Sequence, residues 1–343
     1  MRCSKIILSM VFLGICCACS EKSHITEPLP KITFVTATNG VGDNGYNDQI
    51  LAGVMQVYES KDISLSLVTP ANLEEVNTVL KEWCSKEASG ARELLVLASN
   101  EYETLTDNID AALPSDKHIL LIESDKDIIQ ENVSSVFIRR YGISYLSGCM
   151  VREAESAYVI AAMKNDSYIE DAIKGFVDGY HSNGKDAEVI YLADDETGYS
   201  MPGEAYKTMQ EIDYNAFVYP LAGGSNNGIY KSTREQEFCL QLVAGMDVDC
   251  SQYSPRVPFS VVFNMKHIVA SLLEEWIVGD ELQKQYVFGM FDEDVVSIVI
   301  TPDFFQDMIA WEDWYDSLDY WNETYIKFKN VAKEREEAYY ENK

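Results

Sequence analysis

From residue 32 to residue 122 the chain alternates short runs of β-branched and aromatic residues with stretches whose apolar side chains recur at helical spacing. That alternation constrains the fold more than any other feature. The strand-like runs are 32–38, 63–68, 93–98 and 118–122, and the helical ones are 51–58, 73–84 and 105–112. Strands separated by helices of this length pair in parallel, with helices on both faces. A second series of the same kind runs from residue 135 to residue 246 without any exact sequence repeat of the first. The expected fold class is therefore α/β, with two Rossmann-like lobes built on parallel sheets.

After residue 257 the pattern gives a strand at 258–263, an apolar-faced helix at 265–278 and strands at 286–291 and 295–301. These elements are too few for a third domain. Returned to the two lobes, they create several crossings and hence a hinge. The expected division is a first lobe of 31–138 plus 260–282 and a second of 139–259 plus 283–301, followed by a tail, 302–343. The tail carries Trp311, Trp314, Tyr320, Trp321, Tyr325 and Phe328 at helical spacing. Such a stripe predicts helices packed across the lobes, ending in a charged, frayed helix over 333–343.

Between the first strand and first helix lies Asn39-Gly40-Val41-Gly42-Asp43-Asn44-Gly45-Tyr46-Asn47-Asp48. A loop there sits at the carboxyl end of a strand, where open α/β sheets take their ligands. Gly40, Gly42 and Gly45 spell G-x-G-x-x-G, yet dinucleotide binding also needs an acidic residue ending the second strand, and that strand ends in Thr69-Pro70. A nicotinamide-dependent enzyme is thus a weak alternative. The plainer expectation is that Asp43 or Asn44 caps the helix, leaving Tyr46 and Asn47 to face the crevice.

The N-terminus reads as an export signal over 1–19: Arg2 and Lys5 precede an apolar run too short to be a permanent span. Cys19, after Ala18 and before polar sequence, resembles the acceptor of a bacterial lipobox. Several acyl chains on that cysteine would anchor the protein stably to a bilayer, with 20–30 as a proline-bearing tether. The expected location is the bacterial cell envelope, facing the periplasm or the exterior. Lys and Arg number 27 against 56 Asp and Glu, a formal net charge of −29. So acidic a chain has little to offer phosphate, and nucleic acid is not an expected partner. Cys84, Cys149, Cys239 and Cys250 lack C-x-x-C spacing and read as buried small hydrophobes, although a disulfide between Cys239 and Cys250 is open.

No G-x-S-x-G, H-E-x-x-H or P-loop sequence occurs, and the four histidines are scattered. Neither catalysis nor a metal or organic cofactor is expected. Acidic pairs such as Asp194-Asp195-Glu196 are unremarkable in a chain this acidic, and binding is the better class. Four polar loops follow predicted strands, at 40–47, 99–102 (with Ser99 and Asn100), 222–228 (with Gly223 and Gly224) and 245–249. In two facing lobes they would meet across one crevice.

These loops carry a resemblance. Gly42-Asp43-Asn44-Gly45-Tyr46-Asn47 resembles the G-D-x-[ST]-F-N segment of the basic membrane protein family, the nucleoside-binding lipoproteins of bacterial ABC importers. Tyr145-Leu146-Ser147-Gly148 is similar to its Y-L-A-G helix and Gly175-Phe176-Val177-Asp178-Gly179 to its G-F-x-x-G. Gly198-Tyr199-Ser200-Met201-Pro202 is similar to its S-F-N-D-P turn. Ala222-Gly223-Gly224 and the following residues resemble A-G-G-T-G-x-G, Gly245-Met246-Asp247-Val248-Asp249 resembles G-V-D-x-D, and Phe288-Gly289-Met290 resembles F-G-L. The matches are collinear over 32–301.

The resemblance implies a type I periplasmic binding protein fold, a nucleoside ligand of purine type and an ABC permease as partner. It implies that Tyr46 and Tyr199 sandwich the base, that Asp43 and Asn47 bond the ligand or fix the loop, and that Asp247 or Asp249 accepts from ribose hydroxyls. Stacking of this kind tolerates different bases. Two departures stand out: Ser200-Met201 replaces the usual Asn-Asp, and Phe263 stands where the family has a lysine, leaving Lys266 as the nearest cation along the chain. An alternative is a sensing or scaffold lipoprotein of the same fold with a diverged pocket.

Overall fold

The computed structural model describes residues 28–302 and 318–343, apart from 88, 108, 110–112, 127 and 236–239. Cys19, the export signal, most of the tether, Cys239 and residues 303–317 of the tail lie outside the described residues.

The first lobe is built from β1 (Lys31–Val35), α1 (Tyr46–Ser60), β2 (Ser64–Val68), α2 (Leu73–Ser85), β3 (Glu93–Leu97), the short α3 (Glu103–Thr106), β4 (Lys117–Ile122) and β5 (Val133–Ile138). The second contains α4 (Tyr141–Met150), β6 (Ala157–Ala161), α5 (Ser167–His181), β7 (Glu188–Tyr191), α6 (Pro202–Glu211), β8 (Phe217–Leu221), α7 (Asn226–Glu235), β9 (Leu242–Val243), β10 (Gly245–Asp247) and β11 (Phe259–Phe263). The chain then adds α8 (Met265–Val278), β12 (Gln285–Phe288), β13 (Val296–Ile300) and α9 (Leu318–Glu341).

Two parallel sheets form the lobes, in the orders β12-β5-β4-β3-β1-β2 and β7-β6-β8-β9. Central strands such as β3 (ELLVL) are buried along their whole length, which explains their unbroken apolar sequence. Registers are aligned so that Val35 lies between Val68 and Leu97, and Ala161 between Tyr191 and Leu221. The loops after these strands therefore leave at one level and face the opposite lobe.

The return segments depart from expectation. β12, expected in the second lobe, pairs in parallel with β5 and widens the first sheet to six strands. β11, expected in the first lobe, lies parallel to β10 and antiparallel to β13 in a three-stranded sheet beside the second lobe. Its inward Phe259 stacks on Phe217 of β8, with ring centroids 5.7 Å apart. α8 does return to the first lobe: Gly53 of α1 sits so close that a β-carbon there would lie 2.7 Å from the Lys266 carbonyl. The lobes are thus joined at 138–141, 263–265 and 288–296.

α4 and α5 cross at glycines. A β-carbon on Gly148 would lie 2.2 Å from the Phe176 carbonyl oxygen, and one on Gly179 2.1 Å from that of Tyr145. The Y-L-x-G and G-F-x-x-G segments are therefore packing motifs, which close-packed interiors enforce.

The last helix differs from its expected frayed form. Ala332, Glu336, Tyr339 and Tyr340 share one face, and Ala332 and Glu336 are fully buried. Glu336 accepts from the amides of Gly142, at 3.2 Å, next to the first crossing, and Met290, at 2.8 Å, within the third. Tyr339 and Tyr340 donate to Asp171 on α5 at 2.7 and 3.0 Å. The charged face looks outward while this face is seated on the hinge. Farther up, Trp321 is wholly buried with its ring 5.6 Å from Phe259.

Candidate functional site

The loops from both sheets enclose one cavity of about 140 Å³ between the lobes. The first loop is shaped by carboxylates. Asp43 accepts from the amides of Gly45 at 2.9 Å, Asn47 at 2.9 Å and Asp48 at 3.2 Å, capping α1, while Asp48 folds back onto the amides of Gly42 and Asn44. The capping role expected of this loop thus belongs to Asp43. It leaves Tyr46 and Asn47 on the cavity side. The loop also touches the other lobe: Asn44 donates to the Asn227 side chain at 3.2 Å.

At the back of the cavity the Arg140 guanidinium, just after β5, donates to Glu123 Oε2 at 2.6 Å and to the Ile138 carbonyl at 3.0 Å. The Tyr46 hydroxyl donates to the other oxygen of Glu123. Around Arg140 stand the rings of Phe263, Tyr46 and Tyr168, with centroids 5.2, 5.7 and 5.7 Å away. Burial alone would lower the Arg140 pKa, but Glu123 and the neighbouring phenol and carboxylate outweigh it and keep the group charged. Burial, then Glu123, holds the Tyr46 phenol far above its ordinary range.

From the second lobe, Asp166 caps α5 through the amides of Tyr168 and Ile169, at 2.9 and 3.2 Å. Its other oxygen accepts from the Tyr199 hydroxyl at 2.9 Å and from Asn100 of the first lobe at 3.1 Å. One carboxylate therefore fixes a cavity aromatic and ties the two lobes. Gly223 lies under the Tyr199 ring, where a β-carbon would be 2.9 Å from Cδ1. Burial and the nearby Asp166 and Glu196 keep the Tyr199 phenol protonated.

Asp247, at the end of β10, reaches across to the start of α1. Burial, followed by the Asp43 carboxylate, pushes its pKa up to about 7, against the pull of Arg140 and of the Tyr46 amide. Asp43 is raised in the same sense, by burial first. At the cavity mouth Glu196 is pushed up to about 7 by the burial of its carboxyl and by Glu101, Asp166 and Asp195.

Of the residues expected to meet a ligand, Asp43, Tyr46, Asn47, Ser99, Asn100, Tyr199, Gly223 and Asp247 line this cavity. Gly224 lies just behind, with a β-carbon position 3.7 Å from Asp43 Cβ. Asp249 and Lys266 are not in the lining. Asp249 is exposed on the turn after β10, where it accepts from the Ser251 amide. Lys266 is exposed on the first turn of α8, carried outward because the inner side of that turn is packed on α1. The cation of the cavity is instead Arg140, which lies over the Phe263 ring. Arg140, Glu123, Asp166 and Tyr168 were missed by motif reading. Glu123 and Arg140 do follow predicted strands directly, and Asp166 precedes a helix as a cap, so position alone could have found them.

Among the described residues no group of three or more His, Cys, Asp or Glu is placed to hold a metal ion, and Cys84, Cys149 and Cys250 are free thiols. No helix among them is long and apolar enough to cross a membrane.

Residues 31–335 match the family described as ABC transporter substrate-binding protein PnrA-like. Comparison with curated protein sequences finds no match. Among solved structures, the chain is similar to an ABC transporter solute-binding protein from Aeropyrum pernix K1, with 16% identity, 91% of this chain and 90% of the other covered, and a TM-score of 0.68. A transcriptional activator of the comK gene from Bacillus halodurans gives 16% identity, coverage of 89% and 97%, and 0.64. The glucose-galactose binding protein GanP from Geobacillus stearothermophilus gives 13%, 80% and 98%, and 0.55. At such identities the likeness is one of fold.

Proposed function

The chain belongs to the family of PnrA-like ABC transporter substrate-binding proteins, and from that premise we propose that the solute it presents to an ABC permease is nucleoside-like, held in the interlobe cavity. The observation that carries this reading is the placement of Tyr46 and Tyr199, one from each lobe, on the walls of a single cavity that Asp247 also lines. Aromatic faces hold a flat base by stacking, worth roughly 1 to 3 kcal/mol per base. A buried carboxylate favours a ligand bearing hydroxyls, because without such a donor it stays unpaired.

The protein works outside the cytoplasm as a binding protein, tethered through acyl chains on Cys19 and acting without chemistry of its own. Mass spectrometry of the membrane-extracted protein tests the anchor: a mature N-terminus other than an acylated Cys19 rules it out. Calorimetric titration of the purified protein with adenosine, guanosine, inosine and uridine, beside free bases and simple sugars, tests the ligand. Saturable binding of a nucleoside is expected, and no heat from any nucleoside at millimolar concentration would sink the proposal.

A further inference from the structure

The charge of the cavity is lopsided in a way that bears on what it holds. Six carboxyl groups line it: Asp43, Glu101 and Glu123 from the first lobe, and Asp166, Glu196 and Asp247 from the second. Arg140 is the one cation in the lining among the described residues, and Glu123 takes it up in an ion pair at 2.6 Å. Among the described residues no ion pair reaches the other five carboxylates. Asp43 and Asp166 are met by backbone amides and neutral side chains, and Glu101 by Thr38.

Closing the cleft thus draws two sets of three acidic groups together across a space walled by aromatic rings. Like charges brought together in a partly dry space repel, and each disfavours ionisation of the others. A neutral ligand leaves that repulsion in place. A cation relieves it and strengthens with every carboxylate it faces. Tyr46, Tyr168 and Phe263 already surround Arg140, but Tyr199 and Tyr219 also line the cavity, and aromatic faces attract positive charge.

We infer that the solute is an organic cation, and, on the nucleoside reading above, a nucleoside whose base carries a positive charge. A bare metal ion fits poorly, because the carboxylates are spread around the cavity and no three of the described acidic groups converge on a point. The delocalised charge of a flat heterocycle, sandwiched between rings and edged by carboxylates, matches the spread.

The test uses two isomers of equal size. 1-Methyladenosine is a cation at neutral pH, whereas N6-methyladenosine has the same atoms less a proton and is neutral. Calorimetry of the purified protein at pH 7 should find 1-methyladenosine bound at least about tenfold more tightly, a difference of about 1.4 kcal/mol. Asp247→Asn should shrink that ratio to less than about threefold. Equal affinity, or preference for N6-methyladenosine, overturns the charge inference while the nucleoside reading stands. If neither isomer nor any unmodified nucleoside binds but agmatine or choline does, the charge inference stands and the nucleoside reading falls. If none of the four binds at millimolar concentration, the charge inference falls, and the titration with unmodified nucleosides decides the nucleoside reading.

Discussion

Gly45 and Asp247, from opposite lobes, approach so closely that a β-carbon on Gly45 would lie 3.0 Å from Asp247 Oδ2 and 3.4 Å from its Cβ. A branched side chain there should hold the lobes apart. Gly45→Val is expected to weaken ligand affinity about tenfold or more, roughly 1.4 kcal/mol, beyond any loss of stability in the ligand-free protein. Calorimetry beside thermal denaturation separates the two effects.

Arg140 and Glu123 form a pair whose side chains are only 14% and 5% exposed. Removing one partner of such a pair strands a buried charge, at a cost of about 3 to 5 kcal/mol. Arg140→Gln should lose stability of that order in urea denaturation. The double variant Arg140→Met with Glu123→Leu should recover much of it, since apolar replacement of both partners is often neutral.

Asp247 makes the ligand-free protein sensitive to pH in a defined direction. Its carboxyl titrates near 3.8 when unperturbed and at about 7 in the fold. Between those values the native state holds a proton that the unfolded chain has released, so this group's contribution to stability falls as pH rises from about 4 to 7. Asp247→Asn should raise the melting temperature at pH 8 relative to the parent and change it little at pH 4. An equal shift at both ends would show that titration of this carboxyl is not the cause.

Glu336 satisfies two buried amides at once, those of Gly142 and Met290. Glu336→Ala leaves both unpaired and is expected to destabilise by about 2 to 6 kcal/mol, at about 1 to 3 kcal/mol for each stranded donor. Urea titration measures it. Hydrogen exchange should show faster exchange at residues 139–142 and 289–291 than in the six-stranded sheet.

The α/β class and most of its strands were legible because apolar runs and helical spacing leave a direct trace in sequence. The helix 265–278 and the loop residues Asp43, Tyr46, Tyr199 and Asp247 were found by their place at strand ends and by resemblance. What escaped depended on pairing partners distant in sequence. Nothing in Gln285–Phe288 says that it will lie beside β5 rather than β13, and its short, half-buried strand fits either sheet. Nearness along the chain to Phe263 favours Lys266, whereas the cavity takes Arg140 from another strand end. The last turns of the tail look like a solvated charged helix until Glu336 is seen against the crossings, because a single buried carboxylate leaves no periodic signal.

The three crossings also limit how the cleft can move. β5 and β12 leave the first sheet as hydrogen-bonded neighbours, β11 and β13 enter the other as neighbours, and α9 is fastened to two of the three junctions. Parallel struts joined this way resist sliding and twisting but yield to bending. Of the motions open to two lobes, this arrangement leaves bending about the line of the crossings, a single coordinate for opening and closing the cleft.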